Sequence, residues 1–185
     1  MNSKEKFEIY ESLLREWSTK MNLVAPSTLS DIKNRHFADS AQLADIIPTG
    51  TKIVDLGSGA GFPGVVLAIM GYNVTCIESI GKKTDFLNAV KNKLNLENLT
   101  IYHGRVENFL REKTGKTRDF VFTARAFAPL TKILDYVHGP KSRLFLLKGR
   151  EIEAEIATAK KHHKFKYELI PSKTGDGFII ILQTM

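Results

Sequence analysis

The densest chemistry in this 185-residue sequence is the stretch Asp55-Leu56-Gly57-Ser58-Gly59-Ala60-Gly61-Phe62-Pro63-Gly64, which follows the short apolar run Lys52-Ile53-Val54. Glycines this close together let a backbone turn sharply and approach a ligand without Cβ contacts. The helix expected to follow offers free N–H groups at its start. Such a loop alone is a weak signal, because nicotinamide-binding domains use a similar G-x-G-x-x-G arrangement. Here Gly57 to Gly61 has the form G-x-G-x-G, and Asp55 stands directly before it. A carboxylate at that place competes with a pyrophosphate for the same positive field. A cationic, phosphate-free cofactor removes the conflict, so S-adenosylmethionine (SAM) fits better than NAD, with a purely structural loop as the third reading. Glu78 follows the loop by about twenty residues, where a carboxylate can accept both hydroxyls of a ribose. It speaks for a nucleoside without saying which one, and an unpaired surface acid is its plain alternative.

Other residues with usable chemistry lie farther along. In His103-Gly104-Arg105-Val106-Glu107 the backbone near Val106 and Glu107 can meet an adenine edge while Val106 covers its face, although an ordinary helix cap reads the same way. Thr123-Ala124-Arg125-Ala126-Phe127-Ala128-Pro129-Leu130 carries Arg125. Its forked donors suit a cofactor carboxylate, an RNA backbone or a structural ion pair. Arg35, His36 and Asp39 sit together nearer the N-terminus; His36 reads as an RNA or interdomain contact or as a structural histidine, not as an acid-base group. Lys148 and Arg150, the lysines at 82, 83, 91 and 93, and those at 160, 161, 164 and 166 suit phosphate contact or a solvated helix face equally. His162-His163 lacks the cysteines or spaced carboxylates of a zinc set, so no metal is expected.

These residues need elements to hold them. Phe7, Tyr10, Leu14, Trp17 and Met21 recur at spacings of three and four, which predicts a helix over residues 4–20. A second helix is expected over 29–46, capped by Ser27 or Ser30. Pro48-Thr49-Gly50 ends this part, giving a helical extension of residues 1–50 and a SAM-binding domain of residues 51–185. From residue 51, short apolar strands at 52–55, 73–78, 99–102 and 119–123 alternate with helical stretches at 63–71, 81–94 and 105–113. That alternation predicts an α/β fold, a mostly parallel doubly wound sheet. Strands at 143–147, 165–170 and 178–183 bring the total to seven. A charged helix at 151–162 precedes the last two, and the turn-rich Ser172-Lys173-Thr174-Gly175-Asp176-Gly177 between them allows an antiparallel pair.

Composition narrows the function classes. Apolar residues at 43% and charged residues at 25% fit a globular chain and argue against global disorder. Lysine and arginine outnumber aspartate and glutamate by 27 to 20, a net +7 that is compatible with a polyanionic partner without identifying it. No apolar run is long enough for a membrane span, and the N-terminal residues do not read as a signal peptide. The single cysteine, Cys76, is expected in a buried strand in a reducing, hence cytoplasmic, setting.

Taken together, Trp17 with Met21-Asn22-Leu23, Arg35-His36-Phe37-Ala38-Asp39-Ser40, Asp55 to Gly64, Arg125 to Leu130 and Leu147-Lys148-Gly149 resemble the RsmG (GidB) family of bacterial 16S rRNA guanine-N7 methyltransferases. The resemblance covers nearly the whole chain and implies a class I SAM-dependent methyltransferase fold. It implies methyl transfer to N7 of one guanosine in the 530 loop of 16S rRNA or of the small ribosomal subunit particle, by a cytoplasmic protein expected to be monomeric. It further implies cofactor contacts from Gly57, Phe62, Val106, Glu107 and Arg125, to which the loop argument adds Gly59, Asp55 and Glu78. Arg35, His36 and Lys148 are the candidates for substrate contact, and Arg125 the candidate for positioning substrate or cofactor. Guanine N7 has an in-plane lone pair and no proton to lose, so no general base is obligatory and positioning dominates. Two departures bear on RNA contact: no arginine follows Gly175 where the family commonly has an acidic-Arg pair, leaving Lys173 or another basic residue to replace it, and the stretch from Leu130 to Leu144 is compact. A noncatalytic ribosome-assembly factor, or a methyltransferase for another RNA or a small molecule, are the alternatives.

Overall fold

Short apolar runs bounded by glycine and asparagine become the strands of one sheet in the computed structural model, which describes residues 1–113, 120–137 and 141–185. The strands are β1 (Lys52–Leu56), β2 (Asn73–Glu78), β3 (Leu99–His103), β4 (Phe120–Arg125), β5 (Arg143–Lys148), β6 (Phe165–Pro171) and β7 (Phe178–Thr184). Their order is β3-β2-β1-β4-β5-β7-β6. The first five strands pair in parallel, and β7 runs antiparallel between β5 and β6. This is the doubly wound sheet the alternation predicts, and its order reverses at β1/β4, the place where ligands bind in such sheets. The expected fourth strand begins at Asp119, which lies outside the described residues, as does 138–140 of the compact stretch.

Each face of the sheet is covered by its own apolar layer. On one side, α1 (Ser3–Ser18), α3 (Gly64–Ile69) and α4 (Gly81–Leu94) bury Tyr10, Leu14, Leu67 and Phe86 against Ile53 and Val121. On the other, α5 (Val106–Glu112), α6 (Leu130–Tyr136) and α7 (Ile152–Ala159) bury Phe109, Ile133 and Ile156 against Val54 and Phe122. Helix α1 carries the expected stripe: Tyr10 and Leu14 are fully buried, and Phe7, Trp17 and Met21 pack partly buried on the same layer. It starts with a capping box in which Asn2 Oδ1 accepts the Glu5 N–H and Glu5 Oε2 accepts the Asn2 N–H, both at 3.0 Å. Cys76 is buried on β2, as expected of a strand residue.

Two expectations need correction. The single helix over 29–46 is instead a 3-10 turn (Pro26–Asp31), a π turn (Lys33–Ala38), the short α2 (Asp39–Ala41) and a second 3-10 turn (Gln42–Asp45). Neither Ser27 nor Ser30 caps it; the residue before the first turn is Ala25, with no side-chain cap. Irregular turns of this kind re-aim side chains, and here they aim Arg35, His36 and Asp39. Helix α6 was not anticipated, because only seven residues follow Pro129 before the chain leaves the helix. Among the described residues, no helix is long and apolar enough to cross a membrane.

Candidate active site

The glycine loop leaves the carboxyl end of β1. At Gly57 two constraints coincide: φ is +66°, and a Cβ there would run into the Phe127 ring arriving from beyond β4. At Gly64 a Cβ would press on Asp55 Oδ2 and Cys76 Sγ. The loop therefore rests directly on its neighbours. Asp55 belongs to that support and not to the cavity wall. It is fully buried, Oδ2 accepts the Gly64 N–H at 3.1 Å, and Cys76 Sγ lies 4.0 Å from the same oxygen. The expected direct cofactor contact from Asp55 is corrected accordingly: strand alternation turns its side chain under the loop, onto the face shared with Ile53. Burial pushes its pKa up to about 7, partly offset by hydrogen bonding at Ser58 and Gly64.

Glu78, at the end of β2, does face the cavity. Its Oε2 accepts the Gly59 N–H at 2.9 Å and its Oε1 the Ile80 N–H at 2.8 Å. Two backbone donors thus fix the carboxylate and leave further lone pairs for a ligand. The cavity holds about 500 Å³ and is walled by Gly57, Gly59, Phe62, Glu78 and Lys83 on the loop side and by Leu23, Val24 and Ala25 on the other. Val106 and Glu107 are not part of that wall. Val106 opens α5 with its side chain turned into the apolar layer beside Phe109, and Glu107 is half-buried on the same turn. The apolar side chain lining the cavity beside Glu78 is Ile80.

A second cavity of about 560 Å³ adjoins the first, and the two share His36, Arg125 and Ala126. Arg125, at the end of β4, donates from Nη1 to Arg35 O at 2.9 Å and to Asp39 Oδ2 at 3.1 Å, and from Nη2 to His36 Nδ1 at 2.7 Å. Its guanidinium lies over the Phe62 ring, 4.7 Å from the centroid. Since Arg125 can only donate, His36 Nδ1 must be the acceptor, and the ring proton sits on Nε2, which donates to Thr28 Oγ1 at 2.8 Å. Thr28 Oγ1 in turn donates to Ala25 O at 2.7 Å. Burial, then the Arg125 charge, lower the His36 pKa to about 4, so the ring is neutral at pH 7. It stacks on Phe62 with centroids 4.9 Å apart. Ala126 takes φ +51°, an uncommon backbone conformation for a residue with a Cβ, at the point where the cavities meet.

Basic residues rim the second cavity unequally. Lys148, expected at the substrate, is largely buried, its Nζ held by Ala128 O at 2.8 Å and Glu155 Oε2 at 2.7 Å. It braces the wall because the short fifth strand ends against α7. Lys173, the expected stand-in for the absent arginine, pairs with Asp45 at 2.7 Å on the surface. Two basic groups stand beside the 175–177 turn: Arg35, whose Nη1 would lie 3.3 Å from a Cβ on Gly175, and Arg150, whose Nη1 is 3.9 Å from Asp176 Oδ2. His163 hydrogen-bonds Asp135 at 3.1 Å, and among the described residues no group of three or more His, Cys, Asp and Glu is placed to hold a metal ion. Spacing does not single out Phe127, Asp39, Thr28 or the 172–174 turn as site residues: the first two and the turn meet Gly57, Arg125 and Gln42 from far along the chain, and Thr28 meets His36 only through the irregular turns between them.

The GidB family model, described as rRNA small subunit methyltransferase G, matches residues 3–174. The chain belongs to this family. A ribosomal RNA small subunit methyltransferase G from Bradyrhizobium diazoefficiens is 39% identical over 185 residues, spanning 96% of this chain and 70% of the relative. One from Hyphomonas neptunium is 42% identical over 173 residues, spanning 90% and 80%. Among solved structures, a SAM-dependent methyltransferase from Aquifex aeolicus superposes with a TM-score of 0.63 at 13% identity, covering 95% of this chain and 98% of that one. This GidB family member therefore has the class I methyltransferase fold, with both cavities at the carboxyl edge of its sheet.

Proposed function

We propose that this GidB family protein transfers a methyl group from SAM to N7 of a guanosine in the 530 loop of small-subunit rRNA. The glycine-loop cavity would hold SAM and the second cavity would receive the target nucleotide. The observation that carries the reading is the wall common to both cavities, His36, Arg125 and Ala126, where a donor on one side meets an acceptor on the other. The residues of the first cavity fit SAM. Its volume of about 500 Å³ is in the range of small-molecule sites, and Gly57 provides an approach that any Cβ would close. Glu78 suits the ribose hydroxyls, and Lys83 and Arg125 are the cations on the wall for a carboxylate.

When bound, SAM supplies an electrophilic methyl group on a sulfonium. The chain's own contribution is placement. Arg125 has committed three N–H groups to Arg35, His36 and Asp39, which leaves Nε–H and one Nη2–H for an incoming acceptor. His36 Nδ1 and the Asp39 carboxylate are both occupied by Arg125, so neither is poised as a base. That suits an acceptor nitrogen that carries no proton. Exposed Arg35 and Arg150 at the rim of the second cavity are suited to phosphate. In this reading, residues 1–50 are a helical extension that completes the site of a domain formed by residues 51–185. Ribosomal RNA as substrate makes the cytoplasm its place of action.

The test incubates the protein with radiolabelled SAM and either unmodified small-subunit particles or naked 16S rRNA, and maps the labelled base. Label at guanosine N7 in the 530 loop is expected. Label elsewhere assigns another acceptor, and no label despite measured SAM binding turns the protein into a noncatalytic assembly factor. Arg125→Ala should lower the transfer rate about a hundredfold, the usual cost of losing an oriented donor at a reaction centre. An unchanged rate and SAM affinity would remove Arg125 from the site.

A further inference from the structure

We infer that Asp39 is a positioning residue for methyl transfer, locking the arginine at the junction of the two cavities to the turn that rims the acceptor cavity. The inference rests on the two-cavity reading above. Asp39 divides its oxygens between two distant parts of the chain. Oδ2 accepts from Arg125 Nη1 at 3.1 Å; Oδ1 accepts from Thr174 Oγ1 at 2.9 Å, Gln42 Nε2 at 3.0 Å and Ser172 Oγ at 3.5 Å. The connected residues are 86, 135 and 133 positions away for Arg125, Thr174 and Ser172.

Four donors converge on the carboxylate, three sharing Oδ1 and Arg125 alone on Oδ2. An ion pair this close to solvent contributes little to stability by itself. The arrangement does settle where Arg125 can point. Without Asp39, its guanidinium retains only the uncharged acceptors Arg35 O and His36 Nδ1, and its charge is free to follow the nearest phosphate or carboxylate. With Asp39, the guanidinium stays over Phe62 and the Ser172–Thr174 turn stays at a fixed distance from it. The carboxylate, itself on the wall of the acceptor cavity, thus couples the placement of that cavity's rim to that of the group at the reaction centre.

The experiment is a double-mutant cycle read in single-turnover methylation of unmodified small-subunit particles, with SAM affinity by calorimetry and thermal midpoints alongside. Asp39→Ala should lower kcat/KM about a hundredfold, the cost of a misplacement near 1 Å, mainly through kcat and with SAM affinity changed less than about threefold. Asp39→Asn should recover part of the loss, because its carbonyl still accepts from Arg125 and its amide donates to Thr174 Oγ1, while the Gln42 Nε2 donor loses its acceptor there. In an Arg125→Ala background, Asp39→Ala should cost less than about twofold, since the group it acts through is gone. Equal losses in both backgrounds, or no loss in the wild-type background, would overturn the inference. If Asp39→Ala does not fold, Thr174→Val takes its place in the cycle, with a loss of about fivefold expected only where Arg125 is present. Wild-type protein that labels no rRNA refutes the functional reading, whereas wild-type labelling with an additive cycle refutes the role of Asp39 alone.

Discussion

The two cavities are built by opposite means. The first is founded on one continuous loop and the end of the next strand, with Leu23 to Ala25, His36 and Arg125 to Phe127 closing it: Gly57, Gly59 and Phe62 lie within a single turn of chain, and Glu78 is stitched to that loop through the Gly59 N–H. The second gathers Thr28 to Asp39, Arg125 to Ala128, Leu147 to Glu155 and Ser172 to Phe178. Side-chain bonds such as Arg125–Asp39 and Lys148 to Ala128 O hold those segments together. One cavity is encoded by backbone permission, the other by tertiary assembly. Changes that damage one should therefore spare the other.

Gly57→Ala breaks this contrast most severely. It forces a Cβ into the Phe127 ring at positive φ, so SAM binding should fall below detection by calorimetry while the acceptor side keeps its affinity for small-subunit RNA in a filter-binding assay. Retained SAM affinity would show that the loop can yield. Lys148→Met is the reciprocal change. It strips Glu155 of its cation and Ala128 O of a donor, and should cost about 2 kcal/mol in urea unfolding once partial exposure of the pair is allowed for. SAM affinity should remain within about twofold; a tenfold change would mean that the cavities are not separable. Glu78→Gln is milder, since an amide keeps one acceptor, and should weaken SAM binding about tenfold.

In the wild type the net pH dependence of stability is small, because the two regions pull in opposite directions. Asp55 has its folded pKa raised from 3.8 to about 7, so between those values the folded state holds the extra proton and this group lowers stability as pH rises. His36 has its folded pKa lowered from 6.5 to about 4, so the unfolded state holds the proton and this group raises stability as pH rises. Over pH 4.5 to 6.5 the two contributions oppose each other. Relative to wild type, urea midpoints of Asp55→Asn should climb more steeply with pH, and those of His36→Gln should climb less or fall. Matching slopes for both variants would refute the assignments.

The same contrast explains what could be read from the sequence. The observed α4 covers the expected 81–94, because Gly81 and Asn95 punctuate it, and Asn95 takes the left-handed conformation at its end. The glycine loop, the place of Glu78 at the end of β2 and the mostly parallel sheet follow from short-range pattern as well, whereas the strand order does not. Asp55 was misjudged because its type fits a ligand while the strand's alternation directs it inward. Lys148 does line the second cavity, but its ammonium is held by Glu155 from the next helix, and a charge near a glycine looks available when its counter-ion cannot be seen. The helix expected over 29–46 dissolved into mixed turns because His36 and Asp39 are engaged by Arg125, a contact between positions more than eighty apart in sequence. Periodicity carries no trace of such a partner.

The route of the chain through the second cavity has a consequence for biosynthesis. Its walls run from Thr28 to Phe178, and β7, which begins at Phe178, must insert between β5 and β6 to close the sheet. A polypeptide still being elongated can present the glycine loop long before it can present a finished acceptor cavity. The second cavity is thus complete only once Phe178 and the strand it begins have emerged from the translating ribosome, more than a hundred residues after the glycine loop.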